Sequence, residues 1–399
     1  MPGPLDGVRV IDLSEGIAGP FATKQLADLG ADVIKLERPG GDPARRLGPF
    51  PGDVPHPEKS GLFIHLNTNK RSVVVDPSTP SGREIVLRLA AKADALVESF
   101  PPGTMASWRL GWDDLAAVNP RLVLTSVTPF GATGPAAQRQ ATDLTIAARS
   151  SFLIAAGEPD REPVKYPGRQ TEFVGGLHAA WGTMVALYHA DVTGEGQVVD
   201  VSILEAAVMI SDQNMLSVAY WNGGGRARAG RRPLRFPPIV MPVIDGYVSL
   251  LVTDLQWPRF CRMADLEEYG RDPQLATQRG RIERLEELEV AFLPWFLSHT
   301  KQEVFDLAQQ HGVPIAPFNT IAEVLDDPQF RARGYFRTMV HPVLGEITLT
   351  GPPAILSETP WELRRPAPLL DQHADEILRG ELGYRPDDLL ALRAEGVTG

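Results

Sequence analysis

The sequence predicts an α/β protein: a doubly wound, mostly parallel, Rossmann-like large domain joined to a smaller α+β domain. Three observations carry this. Over roughly the first third of the chain, short runs of β-branched and aliphatic residues alternate with helical periodicity, the pattern of successive βαβ units. Much later, two apolar runs flank Asp245-Gly246, a hairpin signal in a region where that alternation has stopped. The length of 399 residues suffices for two domains, each with its own core.

Taken in order, Val8–Asp12 and Asp32–Glu37 read as buried parallel strands, with Phe21–Leu29 as the helix crossing between them. Arg71–Asp76 gives a third strand, Ser81–Ala93 a helix and Asp94–Phe100 a fourth strand. A helical stretch around Leu115 and a strand at Arg121–Val127 continue the series. After a loop from Phe130 to Asp143, an apolar helix is expected over Leu144–Ala156, and a Pro- and Gly-rich connector, Gly157–Gly168, leads into a long helix. That helix ends near Thr193-Gly194, and VVDVSILEAAVMI reads as a strand running into another helix. Gly223–Arg235 is basic and Gly-rich, a linker or a mobile active-site loop. The hairpin follows, then helices at Gln256–Ala264, Ile282–Leu297 and Lys301–His311 and a strand in VPIAPFN. The tail predicts two short strands, Met339–His341 and Glu346–Thr350. An extended Pro-rich stretch to about Leu370 precedes closing helices at Ala374–Gly380 and Pro386–Glu395. Such a stretch must lie across another surface, either the first domain or a partner subunit.

Composition narrows the function. The net charge of -11, with no block of like charge, argues against nucleic acid and anionic membranes as partners. Most of the 39 basic residues are arginine, whose planar fork suits phosphate and carboxylate. The single cysteine, Cys261, leaves no internal disulfide or Cys-based zinc site and reads as a buried apolar residue. No signal peptide and no apolar run of membrane-spanning length is evident, so a cytoplasmic location is expected. The histidines show no metal-ligand spacing, and neither a P-loop nor a GxSxG elbow is present. Glu37 stands where a ribose-binding acid would close a dinucleotide fold. The turn SEGIAGP, however, lacks the glycine spacing that seats a pyrophosphate.

The stretch Gly168–Ala190, a loop that turns at Thr171 into the long helix, holds the strongest chemical candidate. Thr171 is placed as its N-cap and Glu172 in its first turn, where the helix dipole keeps a carboxylate anionic as a base or nucleophile. An ordinary helix start would carry the same residues. Gly175, Gly176, Ala179, Ala180 and Gly182 cost helix propensity and make sense if a helix or ligand approaches the backbone closely. Arg38, the Asn69-Lys70-Arg71 run and Ser99-Phe100 with Pro102-Gly103 are phosphate-compatible groups assigned to the strand ends, where such sheets bind ligands.

Segments in order along the chain, PLDGVRVIDLSEGIAGP, GADVIKLERPGGD, LNTNKRSVVVD, VESFPPG, NPRLVLTSVTPFGATGP, TGEGQVVDVSILEA, DGYVSL, GVPIAPFNTIAEVLDDPQ and PLLDQHADEIL, make the chain resemble the class III coenzyme A transferases. This is the family of formyl-CoA transferase, carnitine CoA-transferase and α-methylacyl-CoA racemase. The resemblance implies a large CoA-binding domain from residues 1–222, a small α+β domain over 226–329 and a return segment, 336–399, completing the large domain. It also implies two chains threaded as an interlocked homodimer. The substrates would be acyl-CoA and a carboxylic acid, with no prosthetic group. In this family a catalytic aspartate attacks the donor thioester to give a mixed anhydride, and the released thiolate then forms an enzyme-bound CoA thioester. The acceptor carboxylate runs the sequence in reverse.

The family's aspartate aligns with Glu172, one methylene longer, about 1.5 Å. This leaves three readings: a site rebuilt around glutamate, a different acyl-CoA reaction, or a weak or non-catalytic subunit of a heteromeric transferase. The resemblance assigns CoA contacts to Gly16, Ile17, Ala18, Arg38, Arg71, Ser99, Phe100, Met105 and Arg139, with Arg38 and Arg71 on phosphates and Phe100 beside the adenine. Ser99 stands where asparagine is usual. Ile17 replaces an active-site glutamine of formyl-CoA transferase, which argues against formyl and oxalate substrates. Thr142 before Asp143 replaces the racemase branch's histidine, which disfavours a racemase.

Overall fold

The computed structural model describes residues 3–154, 156–158, 160–211, 218–220 and 236–399; the Gly223–Arg235 loop lies outside them. Two compact units pack separately, one formed by Met1–Leu153, Lys165–Gly225 and Ala332–Gly399, the other by Ile154–Val164 and Arg226–Arg331.

The larger unit is built on a six-stranded parallel sheet of β1 (Arg9–Asp12), β2 (Asp32–Glu37), β3 (Lys70–Val74), β4 (Ala95–Glu98), β5 (Val123–Thr128) and β6 (Val198–Ser202). The spatial order is β3-β2-β1-β4-β5-β6, with Val10 opposite Val33 on one side and Ala95 on the other. Strands β3 and β4 are buried throughout, covered on both faces, with the polar Lys70, Arg71, Ser72 and Glu98 buried beside their apolar residues. One face packs against α1 (Ala18–Asp28), α7 (Gln170–Thr193) and α8 (Ile203–Met209) through Ala22, Leu26, Ala179, Ala186 and Ala207. The opposite face packs against α3 (Pro80–Ala90), α5 (Trp112–Val118) and the closing helices Asp375–Glu381 and Pro386–Ala394 through Ile85, Leu115, Ile377 and Leu392. The remaining helices of this unit are α2 (Gly61–Asn67), α4 (Thr104–Ser107) and α6 (Asp143–Arg149).

The tail's extended stretch returns to the open edge of this sheet. His373 N–H donates to the Ser72 carbonyl at 2.9 Å, and Ser72 N–H donates to His373 Nδ1 at 3.1 Å. Val74 N–H donates to Asp371 at 2.7 Å, so the edge of β3 is satisfied without a seventh strand. Asn69, at φ +65°, accepts N–H bonds from Arg364 and Arg365 and donates to the Glu362 carbonyl.

The smaller unit has an antiparallel sheet of β7 (Val240–Val243), β8 (Gly246–Leu250) and β9 (Ile315–Pro317) over helices whose Trp257, Phe260, Phe292 and Phe296 form its core with Phe236 from the segment before β7. Cys261 is buried among them and its thiol is pushed up to about 12 by burial. The hairpin turn is Ile244-Asp245, one residue before the expected Asp245-Gly246. Asp245 accepts the backbone N–H of Lys301 at 2.8 Å, and Gly246 opens the second strand. The helix expected over Ile282–Leu297 is interrupted at Arg284, whose guanidinium is held by Asp272 and Glu287. The helix expected to reach Ala156 stops at Arg149. In the tail, β10 (Phe336–His341) and β11 (Gly345–Thr350) pair antiparallel.

Candidate functional site

Strand order reverses direction between β1 and β4, so the loops after these two strands flank the switch point at the carboxyl edge of the sheet, the crevice position at which such sheets bind ligands. The two loops are stitched across it. Glu15 N–H donates to Ser99 Oγ at 2.8 Å, and Ser99 Oγ donates back to the Glu15 carbonyl at 3.1 Å. Gly16, at φ +81°, donates its N–H to Asp42 at 3.2 Å, and Ile17 then caps α1 without a side-chain hydrogen bond. The start of α1, Ile17-Ala18, therefore presents its dipole at the crevice with no capping side chain. The Ile17 and Ala18 side chains are themselves buried.

Arg38 leaves the end of β2 and lies over the Phe100 ring, 5.6 Å from its centroid. Glu15 grips it bidentately at 2.6 and 2.9 Å, which raises the guanidinium's pKa above its ordinary value. Phe100 and Met105 are buried in the core beneath, with Trp108 edge-on to Phe100 at 4.9 Å. Arg139 is exposed on the loop whose neighbour Gln138 donates to the Pro102 carbonyl at 3.0 Å. Thus Gly16, Ile17, Ala18, Arg38, Ser99, Phe100 and Met105 gather at the carboxyl edge, and Arg139 is tethered to the loop after β4.

Arg71 does not join them. It pairs bidentately with Asp32 at 2.9 and 2.6 Å and with Glu376 and Glu381 at 2.9 and 2.6 Å. Asp32 opens β2, so this cluster lies at the amino edge of the sheet, with Arg71 nearly buried and its donors committed to carboxylates. The sequence reading grouped Arg71 with Arg38 because both flank strands, but they flank opposite ends. Lys70, also near a strand start, points into the protein and is buried on Asp12 at 2.9 Å. Glu37, the would-be ribose acid, is consumed by Arg45 in a buried bidentate pair at 2.7 Å.

Glu172 stands in the first turn of α7, as expected, but the cap differs. The helix begins at Gln170 with Arg169 as N-cap, and Thr171 lies inside it, fully buried. The capping acceptor is Asp143, which takes the Thr171 N–H at 3.0 Å and its hydroxyl at 2.8 Å, while Lys165 pairs with the other oxygen at 2.9 Å. This cap comes from a residue 28 positions away in the chain. Its only local signal was the acid after Thr142, weighed for proton transfer instead.

The glycines of α7 are explained by close neighbours, a strand at Gly182, where a Cβ would stand 2.9 Å from Val199 of β6, and helices at the other two. A Cβ at Gly176 would stand 2.5 Å from the Ala18 carbonyl oxygen, and one at Gly175 would stand 2.8 Å from Ile203. Glu172 and Gly176 are four residues apart on one face of α7, so the carboxylate sits one helical turn from the contact with Ala18. Next to it, Phe173 packs edge-on against Phe21 at 4.8 Å, with the His65 ring 6.2 Å from Phe173. Burial, with Lys24 nearby, pushes His65 down to about 4, so this imidazole is neutral.

Burial also raises the Glu172 pKa, with Asp143 adding to the effect while Arg169 and Lys165 oppose it. Its Oε2 is buried without a hydrogen-bond partner, and the Arg169 guanidinium stands 3.7 Å away. A desolvated carboxylate oxygen without a donor is a stronger nucleophile than a solvated one. Among the described residues no cluster of histidine, cysteine or acidic groups could hold a metal ion, and no helix is long and apolar enough to cross a membrane.

A family profile described as CoA-transferase family III matches residues 5–374. The chain is 35% identical to a succinyl-CoA–D-citramalate CoA-transferase of Chloroflexus aurantiacus, over 99% of this chain and 98% of that protein. It is 35% identical to the BbsE subunit of a succinyl-CoA:(R)-benzylsuccinate CoA-transferase of Thauera aromatica, over 97% of each. Among solved structures, a CAIB/BAIF family protein from Brucella suis superposes with a TM-score of 0.82 at 31% identity, covering 99% of this chain and 100% of that one.

Proposed function

The chain belongs to CoA-transferase family III and is a transferase of that class, and on that premise we propose that Glu172 carries CoA between an acyl-CoA donor and a carboxylic acid. The observation behind this is the buried, unbonded Oε2 of Glu172 at the start of α7, one turn from the uncapped start of α1. An Oε atom of Glu172 attacks the donor thioester carbonyl and expels CoA thiolate, leaving a mixed anhydride. The thiolate attacks the glutamyl carbonyl of that anhydride and expels the donor carboxylate, leaving a glutamyl-CoA thioester. An acceptor carboxylate then displaces the thiolate from Glu172, and the thiolate takes the acceptor acyl group, which frees the glutamate. No external base is needed, because carboxylates and thiolate are already charged.

The backbone of Gly16, Ile17 and Ala18 borders the acyl end of the crevice, where helix-dipole charge favours a developing oxyanion. Arg38, Ser99, Phe100, Met105 and Arg139 serve the nucleotide end, Arg38 by exchanging Glu15 for a phosphate. Both relatives named above carry succinyl-CoA in their names, so succinyl-CoA is the donor proposed here. The domain limits 1–222, 226–329 and 336–399, with a large CoA-binding and a small domain, belong to the same proposal, as does a cytoplasmic location.

A homodimer is supported by α7 itself. Leu177, Trp181, Val185, Tyr188 and Val192 form a stripe along it, each at least half exposed. A helix with apolar residues on that face needs a second surface to cover it. The second functional reading, a non-catalytic subunit of a heteromer, is favoured by the glutamate in the aspartate's position. It predicts CoA binding without turnover in the isolated chain. Under the primary reading the isolated chain turns over succinyl-CoA with an acid acceptor, and Glu172→Gln lowers turnover by about a thousandfold or more. Equal turnover in the variant, measured with a panel of acids, would remove Glu172 from the chemistry.

A further inference from the structure

We infer that Arg169 is the acceptor-carboxylate site, released for that task each time Glu172 loses its charge; this rests on the reading of Glu172 as the covalent nucleophile. In the resting chain Arg169 and Glu172 face each other at 3.7 Å, an ion pair too long to be a hydrogen bond. The guanidinium is about half exposed, with its side chain at 45%, so it can meet an incoming anion. The neighbouring cation cannot substitute: Lys165 is held by Asp143 at 2.9 Å and by the carbonyls of Tyr166 and Gly168. Asp143 in turn is occupied by Lys165 and Thr171. Arg169 is therefore the cation of this group whose partner is Glu172.

The charge arithmetic follows from the chemistry. While Glu172 is a carboxylate, its negative charge offsets Arg169 and repels a second carboxylate. Once Glu172 is a thioester, that charge is gone, and Arg169 is left beside a neutral acyl carbon without its counter-ion. A free carboxylate, planar and bidentate, is the anion a guanidinium pairs with best. Docked there, its oxygen attacks the glutamyl carbonyl, the C–S bond breaks and the CoA thiolate departs with the electron pair. The anhydride that remains is neutral on the glutamyl side. When the thiolate later removes the acceptor acyl group, the carboxylate of Glu172 returns to Arg169 and closes the site to further acid. The device binds acid when a CoA ester is loaded and turns it away when none is, which limits unproductive occupancy by free acids.

The test uses the full chain loaded with succinyl-CoA, freed of released succinate and chased with either succinate or hydroxylamine. Hydroxylamine is an uncharged nucleophile and does not need the guanidinium. With Arg169→Gln the CoA adduct is expected to form to the same end point and to discharge normally with hydroxylamine. The succinate concentration for half-maximal discharge should rise about tenfold or more, with partial recovery in Arg169→Lys. The acid limb of adduct formation should also move to higher pH in Arg169→Gln, because the cation that favours ionised Glu172 is gone. Succinate discharge unchanged in Arg169→Gln, or both chases slowed equally, overturns the inference while leaving Glu172 as nucleophile. Failure of the wild-type chain to form an adduct on Glu172 overturns the nucleophile reading and this inference with it.

Discussion

Glu172 in the first turn of α7 and Asp143 at the start of α6 are carboxylates that meet the same helix start, and their surroundings push their pKa values apart. Asp143 is held below the usual range: burial alone would raise it, but hydrogen bonds from Lys165 and Thr171 overcome that. Glu172 has burial without a hydrogen bond to its Oε2 and is raised. The first is a fixed anion that caps a helix; the second is the one proposed to react. Since only ionised Glu172 attacks a thioester, adduct formation is lost as pH falls through its raised pKa. The acid limb of the single-turnover rate is therefore expected above the ordinary glutamate value of 4.5. A midpoint at or below that value would contradict the desolvated environment. At this scale helix position and family alignment singled out Glu172 as a candidate, but not its partners. Arg169, only three positions from Glu172, was read as part of the loop before the helix, and Asp143 as a residue of other chemistry, because a contact across 28 positions leaves no periodic signal.

At the scale of elements, the parallel strands were legible because strands covered on both faces carry apolar runs, such as those around Val73, Leu96 and Val123. The boundaries of α7 were legible at its end, where Gly194 adopts φ +81°, but not at its start, where the cap is supplied through space. The cost of glycine in α7 was legible too; which neighbours account for it, two helices and strand β6, was not. Replacing Gly176 by alanine tests this. Ordinary helix propensity would favour alanine by about 1 kcal/mol. The added Cβ would meet the Ala18 carbonyl oxygen at 2.5 Å, a backbone atom that cannot swing aside. The variant is expected to be destabilised by about 1–3 kcal/mol, read as a lower denaturant midpoint. A higher midpoint would mean that α1 and α7 do not approach as described.

For the whole molecule, alternating patterns and the family resemblance reached the sheet, its two covered faces and the return of the tail. They did not distinguish the two ends of the strands, and Arg71 was misplaced for that reason: its burial on Asp32, Glu376 and Glu381 depends on a tail 300 residues away. The exposed stripe of α7 was equally hidden, since an apolar helix face reads as core whether its cover comes from the same chain or another. If a second copy covers it, Trp181→Asp, at a side chain 67% exposed here, should shift sedimentation from dimer toward monomer. An unchanged dimer would place the interface elsewhere. The central claim, that Glu172 becomes a CoA ester, is tested most directly by digesting the succinyl-CoA-loaded chain and locating the adduct by mass spectrometry. CoA mass is expected on the peptide containing Glu172, lost in Glu172→Gln and discharged by succinate. Turnover of succinyl-CoA with no adduct on that peptide, or an adduct on another residue, would contradict it.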